Sequence, residues 1–164
     1  MAKRILVTGG AGFIGSHTLI ELHKAGYEFV VVDNLVNSNP EALRRVGELI
    51  GAEVPFVKAD IRDREALNKV FEQYKFDSCI HFAGLKAVGE SVAKPLEYYE
   101  NNMSGTFTLI DVMRQHGCKN IMAKRILGTG GAGLIGSHTL SELHKAGYEF
   151  VGVDNLVNYN PQAL

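Results

Sequence analysis

Short apolar runs alternate along the chain with segments in which apolar residues recur every three or four positions. A strand buried on both faces of a sheet is apolar without alternation, so the runs predict strands. These runs lie at residues 3–8, 28–33, 54–60 and 77–82. Helical spacing predicts helices at residues 13–25, 41–49, 64–74 and 95–116. Regular strand–helix alternation is typical of an α/β, doubly wound parallel sheet of the Rossmann-like kind.

The most unusual feature is an internal repeat, in which residues 1–43 recur as residues 122–164 with 37 of 43 positions identical. Four of the six differences replace an apolar residue of the first copy by a smaller residue. The differences are Val7/Gly128, Phe13/Leu134, Ile20/Ser141, Val31/Gly152, Ser38/Tyr159 and Glu41/Gln162. Such identity is typical of a recent or engineered fusion, and the second copy has the weaker core face.

The repeat also bears on domain organisation, because the long helix 95–116 must be followed by a strand to continue the sheet. Segment 125–127, helix 134–146 and strand 149–153 are predicted to serve as strand five, crossover and strand six. We therefore expect residues 1–164 to form a single domain of about six strands in the order 3-2-1-4-5-6. The competing outcome is exchange of this unit between two chains.

Composition narrows the function classes. The chain has 164 residues with 17 basic and 18 acidic side chains, which gives no electrostatic reason to bind nucleic acid. No apolar run approaches membrane-spanning length, so we expect no membrane association and a cytoplasmic location. Cys79 and Cys118 lack metal-ligand spacing, which predicts two reduced thiols and no metal site.

The chemistry centres on a glycine-rich loop, residues 8–16, which joins the first strand to the first helix. Glycines there allow a tight turn, close approach of a pyrophosphate to the backbone, and close helix–strand packing. An anion then meets free N–H groups at the helix N-terminus. The second strand ends in Asp33, 18 residues after Gly15, where a carboxylate accepts hydrogen bonds from a ribose diol.

Each candidate also has an ordinary structural interpretation. A glycine-rich turn is common in plain loops, Asp33 and Asp60 are also typical turn residues, and Lys86 fits a solvated charge. The two acids nevertheless follow strands at the edge where doubly wound sheets bind ligands, which favours a binding role. His81 and the Tyr98–Tyr99 pair are interpreted as structural residues.

Several of these segments resemble UDP-glucose 4-epimerases, within the extended short-chain dehydrogenases. The resemblance covers roughly residues 3–121 and is most specific over residues 81–99, with the glycine loop, Asp33-Asn34-Leu35 and Asp60-Ile61 in support. It implies an NAD site formed by the following residues: Gly9, Gly12, Phe13, Ile14, Gly15, Asp33, Asn34, Asn37, Ser38, Asp60, Ile61, Phe82, Ala83, Gly84, Lys86 and Asn101.

The resemblance further implies roles within that site. Backbone groups of Phe13 and Ile14 would contact the pyrophosphate, the segment from Asp33 to Ser38 the adenosine, and Asp60 with Ile61 the adenine. The resemblance also implies a homodimer through the helix 95–116. Because Asn34 rather than a basic residue follows Asp33, NAD is favoured over NADP, whose 2′-phosphate needs a cation.

The catalytic half of the resembled family is not found in the sequence. The family has a serine-rich turn and a Tyr-x-x-x-Lys pair after the long helix, whereas none of the six tyrosines here has a lysine four residues later, and the C-terminal sugar-binding region is absent. We therefore predict no catalytic residue and no interconversion of UDP-galactose and UDP-glucose.

Three hypotheses about function follow. The first is an NAD-binding module, truncated or chimeric, without turnover. The second is a residual UDP-hexose 4-epimerase, and the third is an assembly based on strand exchange. We expect NAD to bind residues 9–15 of the first copy rather than residues 130–136 of the second, because only the first copy is followed by Asp60 and the loop 82–86. A second anion site at residues 130–133 is an alternative.

Overall fold

The computed structural model describes residues 2–121 and the backbone of two strands at residues 125–129 and 149–153. The chain divides into two compact units, Met1–Lys119 and Asn120–Leu164. Each unit is described by itself below.

A five-stranded sheet in the order β3-β2-β1-β4-β5 organises the fold. Its strands are β1 (Arg4–Thr8), β2 (Glu28–Asp33), β3 (Phe56–Lys58), β4 (Ser78–His81) and β5 (Asn120–Ile121). β1 pairs in parallel with β2 and β4, and β2 pairs in parallel with β3. This arrangement confirms the predicted doubly wound, Rossmann-like fold class.

The helices lie close to their predicted positions. They are α1 (Phe13–Lys24), α2 (Glu41–Ile50), α3 (Arg64–Gln73), α4 (Val88–Ala93), α5 (Pro95–Tyr99), a π-helical turn (Glu100–Ser104) and α6 (Gly105–Gln115). Asp63 caps α3 by accepting a hydrogen bond from the Ala66 N–H at 3.0 Å. Two features differ from the prediction: residues 88–93 are helical rather than loop, and the helix predicted at 95–116 contains the π turn.

The core lies where the apolar runs of the strands meet the apolar faces of the helices. Leu6 and Val7 of β1 and Val31 of β2 are fully buried in the sheet. α1 packs with α2, and α3 packs with α6. Leu19 of α1 and Leu109 of α6 are also fully buried. This burial holds the carboxyl ends of β1, β2 and β4 side by side.

The second unit contains a separate two-stranded parallel sheet of β6 (Arg125–Thr129) and β7 (Glu149–Val153). Its register, Arg125 opposite Glu149, repeats the register of the first copy, Arg4 opposite Glu28. The predicted strand order is confirmed for five strands, as 3-2-1-4-5, whereas β6 and β7 pair with each other rather than as strands five and six of that sheet. The near-identical sequence reproduces the β1–β2 pair, and the fifth strand beside β4 is Asn120–Ile121, which precedes the copy.

Other predictions about the second copy are not decided by these strands. A single domain over residues 1–164 stays a prediction. The predicted helix 134–146 and the glycine loop at 130–133 lie outside the described residues.

Three further findings concern the described part of the chain. None of its helices is long and apolar enough to cross a membrane. It contains no group of three or more His, Cys, Asp or Glu side chains placed to hold a metal ion. Cys79 and Cys118 are both buried, and neither forms a disulfide bond within the described residues.

Candidate cofactor-binding site

A cleft of about 260 Å³ opens at the carboxyl edge of the sheet, within the first unit. The loops that follow β1, β2 and β4 form its walls, together with Ile61 after β3 and Asn101 of the π turn. This is the edge at which open parallel sheets bind ligands, because neighbouring crossover loops diverge there.

The glycine loop forms the wall beside β1, and two of its positions tolerate no side chain. Gly9 has a left-handed φ of +69°, and a Cβ there would lie 2.6 Å from the Ala83 nitrogen. A Cβ on Gly15 would lie 2.4 Å from the Gly9 carbonyl oxygen. The missing side chains let α1 begin at Phe13 directly beside the cleft, where its first-turn N–H groups have no helical partner.

Asp33, at the end of β2, connects the glycine loop to the loop that follows β2. Its Oδ2 accepts a hydrogen bond from the Ala11 N–H at 3.1 Å, and its Oδ1 accepts from the Leu35 N–H at 2.9 Å and from Ser38 Oγ at 2.8 Å. A carboxylate offers about four lone-pair sites. Asp33 therefore has capacity for one further donor, on Oδ2.

The loop after β2 contains the one non-glycine residue with positive φ among the described residues, Leu35 at +61°. A left-handed leucine costs roughly 1–2 kcal/mol. Its N–H bond to Asp33 and the 3.0 Å bond from the Val36 N–H to Asn34 Oδ1 hold that conformation. Strained backbone of this kind is concentrated at binding sites.

Asp60, which follows β3, is engaged with neighbouring side chains. Its Oδ1 accepts from the Arg62 backbone N–H and from Arg62 Nε, both at 2.9 Å. Its Oδ2 accepts from Arg62 Nη2 at 2.8 Å and from Asn34 Nδ2 at 3.0 Å. The Arg62 guanidinium holds the pKa of the Asp60 carboxyl well below its usual range. All four lone-pair sites are used, so Arg62 or Asn34 must release an oxygen before Asp60 can accept an adenine amino group.

His81, at the end of β4, lies between two hydroxyl groups. Its Nδ1 is 2.6 Å from Thr8 Oγ1, and its Nε2 is 3.0 Å from Thr106 Oγ1. Thr106 donates its only hydroxyl proton to the Asn102 carbonyl at 2.6 Å, so it accepts from His81 Nε2–H, and Thr8 donates to Nδ1. This neutral tautomer supports the structural interpretation of His81. Burial lowers the pKa of the imidazole to about 4.

The His81 environment predicts loss of stability in mild acid. The folded pKa of about 4 lies below the ordinary 6.5, so the unfolded chain binds the extra proton as the pH falls below 6.5. The free energy of unfolding should therefore decrease by about 2 kcal/mol between pH 7.5 and pH 5. Urea unfolding at both pH values measures this change, and His81→Gln, which does not titrate, should lose about 2 kcal/mol less. An equal decrease in both proteins would contradict the prediction.

The structure brings together fourteen of the sixteen residues predicted for the cofactor site. Ser38 and Asp60 do not line the cleft but support it, through Asp33 and Asn34 respectively. The cleft also includes four residues that the sequence did not single out: Val32, Val36, Ala59 and Leu85. Each is adjacent to a predicted residue, and proximity along the chain was the only signal that could have found them.

Comparisons with known proteins agree with this geometry. Residues 6–127 match the family described as GDP-mannose 4,6 dehydratase. Residues 126–164 match the NAD dependent epimerase/dehydratase family. UDP-glucose 4-epimerase 2 of Arabidopsis thaliana is 58% identical over 125 residues, which are 74% of this chain and 36% of that protein. The human UDP-glucose 4-epimerase is 56% identical over 128 residues, 74% of this chain and 37% of that protein.

Solved structures give the same result. UDP-glucose 4-epimerase from Bifidobacterium longum, in complex with NAD+ and UDP, matches with a TM-score of 0.78 and 38% identity, over 93% of this chain and 52% of that chain. The Thermus thermophilus enzyme, in complex with NAD, matches with a TM-score of 0.74 and 30% identity, over 91% of this chain and 53% of that chain.

The 164 residues thus span little more than a third of the curated relatives they match. The family match covers most of this chain, and more than half of the aligned residues are identical to those of the relatives. The chain therefore belongs to the GDP-mannose 4,6 dehydratase family, and it is similar to the N-terminal part of UDP-glucose 4-epimerases.

Proposed function

We propose that the first unit binds NAD in the cleft at the carboxyl edge of the sheet. The observation that carries this proposal is the contact between Asp33 Oδ2 and the Ala11 N–H, which places the open acceptor site of a buried carboxylate beside the glycine loop. A ribose diol at Asp33 and a pyrophosphate at the first turn of α1 are then both within reach of one dinucleotide. The related Bifidobacterium longum and Thermus thermophilus structures contain NAD, which supports this choice.

The remaining predicted residues take roles that fit their positions. Phe13 and Ile14 are exposed at the mouth of the cleft, where their backbone groups would face the pyrophosphate. Ile61 would contact the adenine, and residues 82–86 with Asn101 would contact the nicotinamide half. The carboxylate of Asp33 disfavours a 2′-phosphate, so NAD is preferred over NADP.

Replacing Asp33 by Ala should weaken NAD binding by about 10- to 100-fold, since a hydrogen bond to a charged group contributes about 1.5–3 kcal/mol. The second copy provides a matched control, because Asp154 stands in the same local sequence and the first copy alone is followed by residues 56–86. Titration calorimetry with NAD should give an unchanged dissociation constant for Asp154→Ala. Equal losses in the two variants would contradict binding by the first copy.

The same proposal includes the absence of turnover. The sequence contains no Tyr-x-x-x-Lys pair, so NAD would be held without the general base that epimerisation needs. Residual UDP-hexose 4-epimerase activity is the alternative function, and a sugar-nucleotide assay distinguishes the two.

We further propose that the chain is a chimera whose second unit repeats the first βαβ element. The 37 identities in 43 positions and the shared strand register support this origin. Strand exchange between chains is the alternative role for the repeat. Size-exclusion chromatography with light scattering distinguishes a monomer from a strand-exchanged assembly.

Association and location complete the proposal. Leu96, Tyr99 and Phe107 are exposed on the helical segment 95–115, which supports a homodimer through this region. Cys79 and Cys118 are not joined by a disulfide, which fits a reducing compartment. We propose a cytoplasmic protein of galactose metabolism that binds neither nucleic acid nor membranes.

A further inference from the structure

The π turn places two consecutive asparagines against the loop that follows β4. Asn102 Oδ1 accepts from the Leu85 N–H at 2.8 Å, and Asn102 Nδ2 donates to the Leu85 carbonyl at 2.7 Å. The amide side chain therefore binds both polar groups of one backbone residue. Asn101 Nδ2 donates to Asn102 Oδ1 at 2.9 Å and lies 3.3 Å from the Ala83 carbonyl.

The π turn makes this arrangement possible. Adjacent residues of an α-helix point about 100° apart, and a π turn adds a residue that shifts which side chains face a neighbour. Here the turn covers Glu100–Ser104, in the middle of an otherwise α-helical segment from Pro95 to Gln115. π turns of this kind are frequent at functional sites.

The two hydrogen bonds between the Asn102 side chain and the Leu85 backbone, here called the clamp, are also connected to the glycine loop. The Asn102 carbonyl accepts from Thr106 Oγ1, which lies against His81 Nε2, and His81 Nδ1 lies against Thr8 Oγ1. Thr8 directly precedes Gly9, which lines the cleft. Hydrogen bonds therefore run from the end of β1, through the end of β4, to the π turn that holds the loop after β4.

We propose that Asn102 is a positioning residue for the cofactor: it fixes residues 83–86 in the conformation that receives the nicotinamide half of NAD. Asn102 does not line the cleft, whereas Ala83, Gly84, Leu85 and Lys86 all do. Without the clamp the loop must be ordered by the ligand, and the cost of ordering backbone appears as weaker binding. The inference rests on the proposed NAD binding.

Asn102→Ala removes both bonds to Leu85 and should raise the dissociation constant for NAD by about tenfold. Amide hydrogen exchange at Leu85 should become faster in the same variant without NAD. The control is Asn68→Ala. Asn68 Oδ1 lies 2.9 Å from His116 Nε2, and neither residue lines the cleft. The control should bind NAD as the wild-type protein does and keep the Leu85 amide protected.

Asn102→Asp gives a readout that general damage to the fold would not produce. A carboxylate oxygen would replace the amide nitrogen that lies 2.7 Å from the Leu85 carbonyl, and two acceptors repel one another. Protonation restores a donor, so the ratio of the variant's dissociation constant to that of the wild type should fall between pH 7.5 and pH 5. Measuring the ratio removes the effect of His81, which both proteins share.

The outcomes separate the clamp from the proposed function. Faster Leu85 exchange, tenfold weaker NAD binding and a pH-dependent ratio support the positioning role. Wild-type NAD affinity in Asn102→Ala, or a constant ratio in Asn102→Asp, overturns it. If the wild-type protein fails to bind NAD, the proposed function is overturned and the positioning role with it, while Leu85 exchange still reports whether the clamp exists.

Discussion

The purified chain is expected to convert UDP-galactose into UDP-glucose at least about 10²- to 10⁴-fold more slowly than a UDP-glucose 4-epimerase. The reason is that its sequence contains no Tyr-x-x-x-Lys pair to act as the proposed general acid–base. None of the four tyrosines in the described part of the chain lines the cleft. The Tyr98 hydroxyl donates to Glu90 Oε2 at 2.8 Å and accepts from the Ala87 N–H at 3.2 Å, which ties α5 to α4. Both hydrogen bonds of the Tyr98 hydroxyl therefore have a structural role.

The measurement is a coupled assay of UDP-glucose formation with added NAD and with the human relative as positive control. The NAD titration on the same sample shows whether the cofactor is bound while turnover is absent. Bound NAD without conversion supports a binding module. Sustained conversion by highly purified protein would contradict the prediction and favour residual epimerase activity.

The sheet and the position of its binding edge could be predicted from the sequence because periodicity and strand ends are local signals. The run from Phe29 to Val32 is apolar at every position, and it becomes the buried strand β2 with Asp33 at its carboxyl end. Asp33 and Phe82 lie at or just after the ends of parallel strands, so both were predicted at the carboxyl edge of the sheet. The glycine loop follows β1, so its place at the same edge could be predicted from the order of the elements alone.

The π turn could not be predicted, because it depends on a contact between distant segments. Residues 95–116 have one continuous helical pattern, and nothing in that pattern marks Glu100–Ser104. The turn is coupled to the bonds between Asn102 and Leu85, seventeen residues apart along the chain. The saturation of Asp60 by Arg62 and Asn34 is likewise a tertiary feature, and it changes what Asp60 must release to contact a ligand.

The strand partners of the second copy show another limit of local pattern. The same sequence predicts the same strands twice, yet periodicity does not state which strands pair. β6 pairs with β7 in the register of β1 with β2, and β5 occupies the position beside β4. The two strands of the copy pair with each other as the two strands of the first copy do.

Two substitutions in the repeat lie opposite one another. Val7 pairs with Val31 in the first copy, where both are fully buried, and Gly128 pairs with Gly152 in the second. Val7 and Val31 belong to a core cluster with Ile5, Ala11 and Phe29, which all recur in the repeat. The two glycines therefore replace two apolar residues whose cluster neighbours Ile5, Ala11 and Phe29 are repeated.

Restoring both valines with Gly128→Val and Gly152→Val should stabilise the second unit by several kcal/mol. Burying a valine side chain contributes roughly 1.5–3 kcal/mol, and removing a glycine from a strand contributes about 0.5–1 kcal/mol more. Hydrogen exchange of the amides in β6 and β7 measures the change locally. The matched control is the reverse exchange, Val7→Gly with Val31→Gly, which should destabilise β1 and β2 by a similar amount. If the reverse exchange destabilises the first unit while the restored valines leave β6 and β7 unchanged, the second unit does not bury these positions as the first does, and the repeat is a copy in sequence and register without a copied core.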